Sequence, residues 1–106
     1  MTSIHTFLQE LPNKIPVAAL EGKNTILHFD ISGENGGKYT LSVADNQIQV
    51  QEGLIGAAKS VISTSDKVFS DLVQKEASPM MALMTGRLKV SNPAEIMQYL
   101  NILGLM

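Results

Sequence analysis

A chain of 106 residues, 44% of them hydrophobic, has material for one buried core but not for two, so a single domain over 1–106 is expected. Eight Lys and Arg against ten Asp and Glu give a formal charge of −2 without runs of one sign, which argues against a nucleic-acid binder. The absence of cysteine removes disulfides, thiolate metal sites and cysteine nucleophiles together, and no stretch approaches the ~18 apolar residues of a membrane span.

Ile4, Phe7, Leu8 and Leu11 recur at i, i+3, i+4 and i+7, which predicts a short amphipathic helix over 3–11 with Ser3 near its start and Pro12 ending it. A second helical turn is predicted over Pro16–Glu21, with proline first and Gly22 just past the end. From Thr25 the period changes to two. Leu27, Phe29 and Ile31 alternate with His28 and Asp30, Tyr39, Leu41 and Val43 with Thr40 and Ser42, and Ile48 and Val50 with three glutamines.

Asp45-Asn46 suits a two-residue hairpin turn, because both residues tolerate positive φ. The register then sets Val43 opposite Ile48, Leu41 opposite Val50 and Tyr39 opposite Glu52, giving one apolar and one wet sheet face. Lys59–Thr64 is read as a fourth strand with Ile62 inward, and Arg87–Val90 as a short fifth.

Three helices are predicted beyond Thr64. Thr64 or Ser65 caps one whose inner face is Val68, Phe69, Leu72 and Val73. Ser78-Pro79 opens another that carries Met80, Met81, Leu83 and Met84 and ends at Gly86. Asn92-Pro93-Ala94-Glu95 opens the last, with Ile96, Met97, Leu100 and Leu103 inward.

Chemistry is sparse. His5 and His28 have no second ligand at metal spacing and are read as surface residues. No Gly-x-Ser-x-Gly occurs, Gly53–Gly56 lacks the Gly-Lys-Ser/Thr ending of a phosphate loop, and Asp66 and Asp71 do not share a helix face. Neither an enzyme nor a cofactor or metal is expected. Methionine is unbranched and polarizable, so Met80, Met81, Met84 and Met97 suit either a deformable ligand wall or core filling, although Met81 points about 100° from the face shared by Met80 and Met84. Arg87 and Lys89 alternate with Leu88 and Val90, and suit either contact with an anionic head group or a solvated strand face.

Taken in order, Val61–Phe69, Pro79 with Met80–Met84, Gly86-Arg87-Leu88-Lys89-Val90, the closing helix and Gly36-Gly37-Lys38-Tyr39 resemble the sterol carrier protein 2 (SCP-2) family over roughly residues 20–103. Asn92 stands where the family often has glycine, and the short first helix suggests the compact stand-alone prokaryotic type, for which sterol is not the expected ligand. The resemblance implies an α/β (α+β) fold: a five-stranded, mostly antiparallel sheet with helices on one face and an apolar tunnel for fatty acid, fatty acyl-CoA, a sterol-like apolar ligand or another lipid.

Non-catalytic lipid binding or transfer is therefore expected, in a cavity bounded by Phe69, Leu72, Met80, Leu83, Met84, Ile96, Leu100 and Leu103, with Arg87 and Lys89 as head-group contacts. The alternative is an accessory module with a filled cavity that docks on a partner enzyme. The first ten residues have neither a basic nor an apolar leader region, so a cytoplasmic location is expected.

Overall fold

The computed structural model describes residues 4–100, 102 and 103; Ser3 lies outside them. Helix α1, Ile4–Lys14, buries Ile4, Phe7, Leu8 and Leu11 as the spacing predicts. It does not stop at Pro12. The turn beyond is held by the Ile15 amide, which donates to the Leu11 carbonyl at 3.2 Å, and by the buried Ile15 side chain, and these contacts offset the donor that proline lacks and the crowding of its ring. A 3-10 turn, Val17–Leu20, follows with Pro16 as its cap.

The strands are β1 (Thr25–Ser32), β2 (Gly37–Ala44), β3 (Gln47–Glu52), β4 (Ser60–Ser65) and β5 (Lys89–Val90), in spatial order β3-β2-β1-β4-β5. All neighbours are antiparallel except β1 and β4. Asp45 and Asn46 take φ of 53° and 61°, and the hairpin pairs Val43 with Ile48, Leu41 with Val50 and Tyr39 with Glu52 as expected. The β1–β2 loop closes tightly. A Cβ on Gly36 would lie 2.1 Å from the Ile31 carbonyl oxygen, so only glycine fits there.

The parallel pairing of β4 with β1 makes residues 53–59 return across the outward sheet face. Thr40 donates its hydroxyl to the Gly53 carbonyl (2.7 Å) and accepts from the Ile55 amide (2.8 Å), and His28 Nε2 donates to the Ile55 carbonyl (3.0 Å). His28 is therefore buried at 8% exposure and Thr40 at 2%, which corrects the expectation that His28 is a surface residue on a wet face. His5 is exposed, as read.

Helices cover the inward face. Ser65 caps α2 (Asp66–Val73) by accepting from the Val68 amide at 3.2 Å, and α2 buries Phe69 and Leu72. Helix α3 (Pro79–Met84) ends at Gly86, φ +78°, where the Gly86 amide returns to the Leu83 carbonyl and the Arg87 amide to the Ala82 carbonyl. Helix α4 (Pro93–Met97) is capped by Asn92, and a further turn carries Tyr99, Leu100 and Leu103 into the core.

The methionine faces differ from the expectation. Met80 is 42% exposed, Met81 58%, Met84 79% and Met97 41%, while Pro79 and Ala82 of α3 are buried. Residues 86–88 fold back onto the end of α3, where the Arg87 and Leu88 amides both donate to the Ala82 carbonyl, at 2.9 and 3.1 Å. That fixes Pro79, Ala82 and Leu83 as the inner stripe and turns Met80 and Met84 outward. No described helix is long and apolar enough to cross a membrane.

Candidate functional site

Between the inward sheet face and α2–α4 lies a cavity with wholly apolar walls. Phe29 of β1 and Ile62 of β4 form its floor, and Phe69 and Leu72 of α2 one side. Pro79 and Leu83 of α3 face them, Leu88 and Val90 close the β5 edge, and Ile96 and Leu100 complete the wall. Its volume is about 20 Å³, room for a single water-sized sphere.

Of the residues expected around it, Phe69, Leu72, Leu83, Ile96 and Leu100 are brought together here. Leu103 is buried in the core but is not on the wall, and Met80 and Met84 point away from it. Leu88 and Val90 are wall residues whose signal was present in their alternation with Arg87 and Lys89. Phe29 and Ile62 were legible as inward strand positions, but nothing local joins them to α2–α4.

Arg87 and Lys89 line a different feature, an open groove of about 280 Å³ on the outward sheet face, with Asp30, Ser32, Ser63 and Gly86. Strands β4 and β5 stand between this groove and the apolar cavity. The two cations therefore do not face a chain held in the cavity, contrary to the expected arrangement.

Tyr99, absent from the expected inner face of the last helix, is 2% exposed. Burial, reinforced by the Glu95 carboxylate, pushes its phenol above the ordinary value of 10.0, and hydrogen bonding with the Asn24 backbone and the Thr25 side chain pulls partly the other way. Thr25 in turn donates its hydroxyl to Glu95, tying the start of β1 to α4 across the domain. Among the described residues no group of three His, Asp or Glu is placed to hold a metal ion.

Residues 5–103 match the SCP-2 sterol transfer family. Apo sterol carrier protein 2 from Yarrowia lipolytica is 23% identical, with a TM-score of 0.74 over 93% of this chain and 85% of that one. A UbiJ-SCP2 ubiquinone synthesis protein is 18% identical, with a TM-score of 0.62 over 96% of this chain and 83% of that one. The stereoselective inverting sec-alkylsulfatase Pisa1 from Pseudomonas sp. contains the same fold at 10% identity, with a TM-score of 0.80 over 92% of this chain. This chain spans only 16% of that protein's length, and the likeness is one of fold alone. No curated protein matches the chain.

Proposed function

Since the chain belongs to the SCP-2 sterol transfer family, whose domains bind and transfer lipids, we propose that it is a non-catalytic cytoplasmic lipid carrier that takes a fatty-acyl chain, free or as acyl-CoA, into the apolar cavity beneath α3. The observation that carries this reading is a cavity without a polar wall atom, roofed by a six-residue helix whose only fully buried side chains are Pro79 and Ala82. Ligand pockets commonly measure about 300–1,000 Å³, so a cavity of about 20 Å³ must expand to admit a chain. Helix α3 is the natural lid. It is six residues long, is held inward by Pro79, Ala82 and the half-buried Leu83, and is flanked by the positive-φ residues Lys75 and Gly86. Each methylene buried contributes about 0.8 kcal/mol, so a long chain offsets the loss of those few contacts.

The small cavity also supports a second reading, an accessory module with a filled core that docks on a partner enzyme through the outward methionines of α3 and α4. Titration with a fluorescent fatty acid, alongside native mass spectrometry of the purified protein, separates the two. Saturable one-to-one binding that is lost in Leu83→Lys and kept in Met84→Lys supports the carrier. A folded protein that binds no lipid in either measurement supports the accessory module.

A further inference from the structure

Arg87 and Lys89 stand on the sheet face that the apolar cavity does not use, and three relations around them describe a second site. Strand pairing sets Asp30 beside Ser63 and Ser63 beside Lys89, so carboxylate, hydroxyl and ammonium residues follow in one row across β1, β4 and β5. Arg87 flanks that row, and the groove between them is open, with Ser32 also on its wall.

The backbone that presents the cations is fixed. Thr64 donates its hydroxyl to the Arg87 carbonyl at 2.8 Å, and the Arg87 and Leu88 amides are both held by Ala82. Finally, among the described residues neither cation forms an ion pair, whereas Lys14 and Lys67 are each paired with a carboxylate on their own helix. The Ser63 hydroxyl makes no hydrogen bond among those residues either.

We infer that this groove binds a phosphate-bearing anion. The guanidinium fork of Arg87 takes two phosphate oxygens, while Lys89 supplies a point charge and the Ser63 hydroxyl a donor to the remaining oxygen. An anion there also relieves the mutual repulsion of two like charges two residues apart. Asp30 lies on the same wall and leaves the groove a formal +1, so a single phosphate group is favoured over a polyphosphate; Lys38 stands opposite Asp30 in the register of β1 and β2. The inference does not depend on lipid in the apolar cavity, because β4 and β5 separate the two.

The test is an amide NMR titration of the intact chain with inorganic phosphate and, separately, with a short-chain phosphatidic acid kept monomeric, each against chloride at matched ionic strength. Saturable shifts are expected at Ser63, Gly86, Arg87 and Lys89. In Arg87→Gln/Lys89→Gln affinity should fall at least tenfold while the rest of the spectrum is unchanged, and in Asp30→Asn it should rise severalfold. Saturation by both probes identifies free phosphate as sufficient, and saturation by the phosphatidic acid alone identifies a lipid head group. Linear shifts equal to those with chloride, or saturation at wild-type affinity in the double variant, would overturn the assignment. Fatty-acid binding reports at Leu83 and Leu100 instead, so failure here leaves the carrier reading standing and failure there leaves this one.

Discussion

Phe29 of β1 and Phe69 of α2 meet edge to face, with ring centroids 5.9 Å apart and planes at 83°, and both rings line the apolar cavity. Phe7 of α1 meets Phe69 in the same manner at 6.1 Å and 75°. Phe69 thus joins α1, α2 and the sheet, and the cavity wall it forms is pinned by ring contacts from two sides. On the carrier reading, expansion falls to the opposite wall, where α3 contributes little more than Pro79 and Leu83. Phe69→Ala is expected to destabilise by about 3–5 kcal/mol, and Met84→Ala, on the outer face of α3, by about 0.5 kcal/mol or less. Urea unfolding of the two variants checks this; equal losses would mean that α3 is as tightly built in as α2.

Thr40 is the anchor of the strap over the outward sheet face, holding both the Gly53 carbonyl and the Ile55 amide. Thr40→Val keeps the side-chain shape but leaves those two groups without their partner, at a cost of about 1–3 kcal/mol. Hydrogen exchange at the Ile55 amide should accelerate far more than exchange at Leu41, in the centre of β2. Unchanged protection at Ile55 would show that the strap is held there without Thr40, by His28 and by the Gly53 and Lys59 amides on the Lys38 and Ile26 carbonyls.

The sheet was legible because strand phase needs only alternation, and Asp45-Asn46 set the register without any tertiary information. Helix α3 was not. In six residues with Met at three positions, Met80, Leu83 and Met84 satisfy the i, i+3, i+4 spacing as well as Pro79, Ala82 and Leu83 do, and the choice is made by the return of residues 86–88 onto Ala82. The closing helical segment carries its own signal: Ile96, Tyr99, Leu100 and Leu103 complete the i, i+3, i+4, i+7 series, and Met97 falls outside it. The burial of His28 depends on a loop without periodicity crossing above it. Cavity volume is a sum over packed side chains and has no local signature at all.

Gly86 and Gly36 resist substitution for different reasons and to different degrees. At Gly86 an added Cβ meets nothing within 4 Å, so Gly86→Ala should cost only the left-handed backbone penalty, about 1–2 kcal/mol. At Gly36 the added carbon collides with the Ile31 carbonyl, and the β1–β2 loop must move. Gly36→Ala should therefore lose more stability than Gly86→Ala in the same denaturant series. The reverse order would mean that the β1–β2 loop is softer than the turn leading into β5.

Two buried phenols give the fold a contribution to stability that alkali removes. Burial raises Tyr99 above 10.0 with help from Glu95, and burial raises Tyr39 with help from Glu52. Below pH 10 both phenols are neutral in the folded and the unfolded chain, and their contribution to stability is fully present. As pH rises past 10, the unfolded chain ionises first and binds fewer protons than the folded one, so stability falls until the folded phenols ionise as well. Tyr99→Phe keeps the ring and removes the titration. Its unfolding midpoint should be lower than wild type at pH 8, because the phenol's hydrogen bonding is lost, yet should decline less steeply between pH 9.5 and 11. Urea midpoints across that range decide the matter, and parallel slopes for the two proteins would assign the alkaline loss to lysine deprotonation instead.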